Sequence, residues 1–145
     1  MDNRSNDRDP SWATLPGSTV SHYKILAEIG AGGMGIVYRA LDLRHPRQVA
    51  LKRPRPELSN DAVIRRRFLR EGRAASVILH SNVVTVFEVF EAKGTDWIAM
   101  ELVEGETLRE RLRREGPLPV PEILRHAEGL ADALRTGTHC RSRPR

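Results

Sequence analysis

From Tyr23 onward the chain alternates. Tyr23, Ile25, Ala27 and Ile29 are interleaved with Lys24, Leu26 and Glu28. Successive side chains of a strand point to opposite faces, so this spacing predicts a β-strand. Ile36 to Leu41 predicts a second strand and LRHPR a turn. Gln48 to Arg53 predicts a third strand, stopped by Pro54 and Pro56, which have no N–H to give to a ladder. The period then becomes helical. Ser59, Asn60 and Asp61 offer N-cap oxygens, and the stretch to Leu79 has no proline and is rich in Arg, Leu and Ala. Val83 to Glu91 and Asp96 to Val103 read as two more strands joined by AKGT. Thr107 to Glu115 predicts a short charged helix. After GPLPVP a last helix is expected from Glu122 to about Leu134. The order β-β-β-α-β-β-α-α describes an α+β fold. Residues 1–21 hold few apolar anchors and are expected to form a disordered leader.

Composition narrows the class of protein. The 145 residues suit one domain, and 39% hydrophobic content allows a modest core. The net charge is +5, which suggests nucleic acid until the charge is located. Arg135, Arg141, Arg143 and Arg145 lie in the last eleven residues, where no acid offsets them; without these four the balance falls to +1. A nucleic-acid groove is therefore a poor reading of the body of the chain. The single cysteine, Cys140, rules out an internal disulfide and fits a reducing compartment. No apolar run approaches the ~20 residues of a membrane span, and the polar N-terminus has no signal-peptide core. A soluble, cytoplasmic chain is expected. His22, His45, His126 and His139 show no metal-ligand spacing and are read as surface residues; no metal site is expected.

Candidate chemistry begins with IGAGGMGIVYRA, Ile29 to Ala40, which holds Gly30, Gly32, Gly33 and Gly35. Three of these satisfy G-x-G-x-x-G. In a dinucleotide-binding unit the third glycine opens a helix. Here Gly35 leads into IVYRA, a strand pattern, so the glycines join two antiparallel strands. A Walker-type loop fails too, because no Gly-Lys-Ser/Thr follows. A flexible hairpin with no ligand remains open at this point.

Val49-Ala50-Leu51-Lys52 shifts the balance. Ala50 and Lys52 share one face of the third strand. A small residue beside a cation leaves room for a flat ring and reaches its phosphates. Lysine is also rare here: Lys24, Lys52 and Lys93 are the only three, against 21 arginines. On the helix, Ile64, Phe68, Glu71, Ala75 and Ile78 are spaced 4, 3, 4 and 3 and form one stripe. A carboxylate in the middle of an apolar stripe needs a cation. Lys52 on the neighbouring strand is the expected partner. The alternative puts Glu71 at the edge of the stripe, paired with Arg67 or Arg73.

Five segments together, IGAGGMGIVYRA, VALK, RRRFLREGRAAS, HSNVV and WIAMELVEGETL, resemble the N-terminal lobe of a bacterial eukaryotic-type (Hanks-type) serine/threonine protein kinase. The resemblance covers Tyr23 to Leu134. It implies a five-stranded antiparallel sheet with one packed helix, followed by the first helices of an incomplete C-lobe. It implies ATP as cofactor, with the amides around Gly30, Gly32, Gly33 and Gly35 closing over the phosphates. Ile29 and Val37 would roof the adenine and Ala50 would line the same slot. Lys52 would hold the α- and β-phosphates, positioned by Glu71. Met100 would guard the back of the pocket, and Glu101 to Val103 would be the hinge facing the adenine edge. His80 and Asn82 match the loop after the helix, with Ser81 where a proline is usual.

The same resemblance implies magnesium and a protein Ser/Thr substrate in the intact family. The family's His-Arg-Asp and Asp-Phe-Gly motifs do not occur in these 145 residues. The boundaries expected are a leader over 1–21, the ATP-binding lobe over 22–103, the hinge exit and first C-lobe helices over 104–134, and an aberrant basic tail over 135–145. The stripe Ile123, Ala127, Leu130, Leu134 is expected to stop at Thr136–Gly137, and a frameshift after Arg135 would explain that tail. The expected function is the ATP-binding part of a protein kinase, inactive alone. Its partners would be ATP and a protein substrate or another kinase chain. A non-catalytic nucleotide-binding or docking module, or a small α+β domain without nucleotide, are the alternatives.

Overall fold

A computed structural model describes residues 16–33, 35–58 and 61–141. The element order is β1 (Thr19–Val20), β2 (Tyr23–Gly32), β3 (Gly35–Asp42), β4 (Arg47–Arg53), a 3-10 turn (Pro56–Leu58), α1 (Ala62–Ser76), β5 (Val86–Ala92), β6 (Thr95–Glu101), α2 (Leu108–Glu115) and α3 (Val120–Arg141). The chain divides into two compact units. One holds β1 to β6 and α1. The other holds 77–85 and the chain from Val103 onward, with α2 and α3.

The first unit is a six-stranded sheet in the order β1-β2-β3-β4-β6-β5, antiparallel at every pairing. The sixth strand is the addition to the expected five. Thr19 and Val20 pair with Lys24 and Tyr23, inside the stretch read as leader. Val20 is fully buried, and its apolar side chain is what fixes this short strand. The rest of that reading, residues 1–15 with Trp12, lies outside the described residues.

The sheet curls. Tyr23 on β2 donates its hydroxyl to Glu88 on β5 at 3.0 Å and stacks on Phe90 with ring centroids 5.4 Å apart. The concave core is Val20, Tyr23, Ile25, Tyr38, Ala40, Val49, Leu51, Trp97 and Ala99. These are alternate positions on their strands, as a one-sided core requires. Arg53 continues the same face of β4. It is buried, places its guanidinium 5.5 Å from the centre of the Trp97 ring and donates Nε–H to the Pro54 carbonyl. The β5–β6 hairpin turns through Lys93 and Gly94, both at positive φ (53° and 72°), the geometry of the tight turns that match strand twist.

Helix α1 is capped by Asp61, whose Oδ1 accepts from the amides of Val63 and Ile64 at 2.8 and 3.2 Å. It stops at Ser76 rather than Leu79. Its inward residues are Phe68 and Gly72. A Cβ on Gly72 would lie 2.7 Å from Ile98 Cδ1 and 3.1 Å from Val89 Cγ2, so the missing side chain is what lets the helix approach the sheet. Arg65 staples the same helix to the sheet through buried Asp96, at 2.5 Å, and Glu91, at 2.8 Å.

In the second unit, Thr107 and Glu110 form a reciprocal capping box at the start of α2. His80 Nε2 lies 2.9 Å from Asp132, and Asn82 donates to the Gly129 carbonyl at 3.1 Å, which ties 77–85 to α3. The helix α3 does not end at Leu134. It runs through Thr136 and Gly137 to Arg141, with the Thr136 hydroxyl donating to the Asp132 carbonyl at 3.2 Å. Propagation adds one hydrogen bond per residue, so an aperiodic stretch without proline still continues a helix.

Candidate functional site: one face of the sheet and the glycine hairpin

Cross-strand partners in an antiparallel sheet carry their side chains on the same face. Val37 pairs with Lys52, and Lys52 with Ile98. One row further along, Arg39 pairs with Ala50, and Ala50 with Met100. The site residues Val37, Ala50, Lys52 and Met100 therefore stand together on three adjacent strands. They occupy the face opposite the core residues Tyr38, Leu51 and Ala99. Ala50 is nearly buried, while Lys52 and Met100 are half-exposed. The same face receives α1, since Ile98 is the residue that Gly72 approaches.

Gly30 pairs with Val37, and Gly32 with Gly35, at the tip of the β2–β3 hairpin. Ile29 is the extra residue of a bulge between the Glu28 and Gly30 pairings and is 45% exposed. The four glycines differ in kind. Gly35 has φ +145°, and a Cβ there would lie 2.1 Å from the Arg53 carbonyl oxygen, so the fold itself demands glycine. At Gly30, Gly32 and Gly33 a Cβ would meet nothing within 4 Å. Packing does not ask for glycine at those three positions. Open space above bare backbone amides suits an anion that must approach the main chain closely.

The expected ion pair is not formed. Glu71 accepts from Arg67, one turn earlier on α1, at 2.8 Å, and both side chains are substantially exposed. The Arg67 hydrogen bond lowers the Glu71 carboxyl below its usual range. Partial burial opposes it, and the charges of Arg67, Lys52 and Arg70 assist. Lys52 thus acts on Glu71 through space without pairing with it. The inward stripe is rotated from the one read in the sequence: Phe68 and Gly72 face the sheet, which leaves Glu71 on the shoulder of the helix.

Glu101 ends β6 and is exposed; Val103, also exposed, belongs to the second unit. His22 is not a surface residue. Its side chain is 11% exposed and sits 3.9 Å from Asp42 and 3.6 Å from Glu88. Among the described residues no three His, Cys, Asp or Glu side chains converge to hold a metal ion.

A family model for the protein kinase domain matches residues 23–140. The chain belongs to the protein kinase family. It is similar to the serine/threonine-protein kinase PrkC of Bacillus subtilis (strain 168), with 40% identity over 121 residues, 83% of this chain and 19% of PrkC. It is likewise similar to the serine/threonine-protein kinase PknF of Mycobacterium tuberculosis, with 40% identity over 120 residues, 81% of this chain and 25% of PknF. The crystal structure of the Mycobacterium tuberculosis PknI kinase domain matches with a TM-score of 0.77 at 32% identity, over 90% of this chain and 54% of that one. The kinase-family chain thus spans a quarter or less of these curated relatives and about half of the solved kinase domain. Its curled antiparallel sheet, with helices after it, is the N-lobe and the start of the C-lobe. Residues 135–140, where the sequence pattern predicts an aberrant tail, lie inside the matched range.

Two features escape the sequence reading. Gly72 looks like a mid-helix defect, since glycine in a helix costs about 1 kcal/mol relative to alanine; its small size is the helix–sheet contact. Arg55, two residues past β4, donates Nε–H to the Gly32 carbonyl at 2.7 Å. No periodicity or motif marks it.

Proposed function

We propose that these residues bind ATP and form the nucleotide-binding part of a serine/threonine protein kinase. The observation that carries this reading is the shared face of Val37, Ala50, Lys52 and Met100 beside a hairpin whose Gly30, Gly32 and Gly33 have no structural reason to be glycine. Val37 and Ala50 offer an apolar, low-profile surface for the adenine ring, with Ile29 at the entrance. Lys52 supplies the cation for the α- and β-phosphates. The hairpin amides supply donors that cost no reorganisation when a phosphate arrives.

Transfer of the γ-phosphoryl group to a protein hydroxyl needs a base and magnesium ligands. Neither the His-Arg-Asp nor the Asp-Phe-Gly motif occurs in the 145 residues, and no magnesium site is assigned to this chain. The second reading, a nucleotide-binding or docking module that does not itself transfer phosphate, draws on the same fact. A protein substrate or another kinase chain is the proposed partner of the whole protein. No helix among the described residues is long and apolar enough to cross a membrane.

Calorimetric titration of ATP into the 145-residue chain and its Lys52→Ala variant tests the site. Binding by the parent, weakened about tenfold by Lys52→Ala, is the expected result, since a hydrogen bond to a charged group is worth about 1.5–3 kcal/mol. Equal affinity of the two chains, or no binding by either, overturns the assignment.

A further inference from the structure

After β4 the chain reads Pro54-Arg55-Pro56. The prolines fix their own φ, and Pro56 also drives Arg55 out of the helical region. Pro54 is buried, and the Leu58 amide donates to the Arg55 carbonyl at 3.0 Å, closing the turn that follows. Arg55 is therefore displayed on a stiff arm. Its guanidinium reaches a residue 23 positions earlier and donates to the Gly32 carbonyl at 2.7 Å. Gly32 sits at the tip of the glycine hairpin, opposite Gly35.

A peptide unit is planar and trans, so its C=O and the following N–H point in opposite directions. The bond from Arg55 holds the Gly32 carbonyl toward the guanidinium and thereby holds the Gly33 amide away from it. Gly32 and Gly33 carry no Cβ and have open space around them. Gly32 is the last ladder residue of β2, paired with Gly35, and Gly33 lies beyond the pairing, so the ladder holds this peptide from one side only, and a glycine plane there gains order from a second tether. Together with the ladder, one side chain thus fixes the direction of an amide in the hairpin proposed to cover a nucleotide's phosphates.

We propose that Arg55 is a positioning residue for the phosphates of a nucleoside di- or triphosphate: it pre-sets the Gly32–Gly33 peptide, and its removal weakens binding of the phosphate chain rather than of the nucleoside. This rests on the nucleotide reading above. Pre-organisation raises affinity by removing an ordering cost before the ligand arrives. A merely structural tether makes a different prediction, because loosening the whole hairpin weakens adenosine and ATP alike.

The test compares adenosine, ADP and ATP binding to the 145-residue chain, to Arg55→Gln and to Arg55→Lys. For Arg55→Gln, adenosine affinity is expected to stay within about twofold of the parent while ATP affinity falls about fivefold, the range of one hydrogen bond. Arg55→Lys, which keeps a charged donor, should recover part of the ATP loss. Should Arg55→Gln fail to fold, Pro56→Ala loosens the arm while keeping the guanidinium and should show the same split. Equal ATP affinity in parent and variant, or the same loss for adenosine as for ATP, overturns the proposal. If the parent gains nothing from adenosine to ATP, the nucleotide reading falls and takes this inference with it. If the gain persists undiminished in Arg55→Gln, only the role of Arg55 falls.

Discussion

Arg67 and Glu71 face each other across one turn of α1, 2.8 Å apart, and that contact holds the carboxylate which family resemblance assigns to Lys52. An exposed pair four residues apart is worth only about 0.3–0.5 kcal/mol. Arg67 is thus a weak competitor for Glu71, and Lys52 already contributes to the lowered Glu71 pKa from a distance. Arg67→Gln should leave the melting temperature within about 2 °C of the parent, by the usual conversion of a few tenths of a kcal/mol. It should raise ATP affinity, about twofold, by freeing Glu71 to orient Lys52. A lower ATP affinity in Arg67→Gln would show that Arg67 supports the site instead of competing with it.

The glycines of the hairpin separate into one that the fold needs and three that it does not. Gly35→Ala places a Cβ 2.1 Å from the Arg53 carbonyl at a φ of +145°. Backbone meets backbone there, so neither partner can swing aside. The variant is expected to lose more than about 2 kcal/mol of stability in urea unfolding. Gly33→Ala meets open space and should be neutral or slightly stabilising, by up to about 1 kcal/mol, through the unfolded chain. Its ATP affinity should nevertheless fall if the proposed site is right, because the new methyl group would then stand in the path of a phosphate. A Gly33→Ala chain that binds ATP like the parent would remove the reason given for glycine at that position.

How much of this was legible beforehand depended on the range of the interaction. Strand alternation from Tyr23 and in Val49 to Lys52 located the sheet and put Ala50 and Lys52 on one face, since side-chain direction in a strand follows from position alone. The cap at Asp61, one of three candidate N-cap residues, and the start of a helix at Thr107 were equally local. The sequence leaves the rotation of α1 open between an inward Glu71 and one at the stripe's edge paired with Arg67, because the apolar stripe Ile64, Phe68, Ala75 is the same in both; the structure shows the second. Only the close approach to Ile98 decides between them. The continuation of α3 past Leu134 was missed because periodicity reports an apolar face and not the backbone hydrogen bonds that extend a helix. The Arg55–Gly32 bond joins residues 23 apart through an exposed side chain, and nothing in local pattern encodes it.

Gly72 carries the second structural prediction. Its virtual Cβ lies 2.7 and 3.0 Å from the Cδ1 and Cγ1 of Ile98 and 3.1 Å from Val89. The Ile98 tip can turn away, but Val89 leaves it little room. Overpacking of this size costs about 1–3 kcal/mol, against about 1 kcal/mol regained from helix propensity. Gly72→Ala should therefore be destabilising by about 1 kcal/mol in urea unfolding, and Gly72→Val far more. Relief by Ile98→Val in the double variant would identify the clash as the cause. A Gly72→Ala chain more stable than the parent would mean that the helix shifts outward without penalty.

Acid sensitivity should centre on Asp42, which is almost fully buried at the end of β3. Burial pushes its carboxyl up. The backbone amides of His45 and Arg44, at 3.1 and 2.9 Å, and the His45 side chain outweigh that effect, and the net shift is downward. His22 at 3.9 Å, His45 at 3.4 Å and Arg47 at 3.7 Å face it, and the Tyr23 hydroxyl is near enough to feel its charge. A carboxyl whose folded pKa lies below its unfolded value of about 3.9 stabilises the fold fully above that value. The contribution disappears as pH falls through the folded pKa, when the proton removes the charge that the amides hold. Stability measured by urea unfolding should therefore drop as pH is lowered below about 4. Asp42→Asn should be less stable than the parent at pH 7, because the amide replaces an ionic acceptor and introduces N–H groups facing donors. It should also lose less on acidification, so the two curves converge at low pH. Parallel curves from pH 7 to 3 would place the acid-sensitive groups elsewhere and leave Asp42 with a packing role alone.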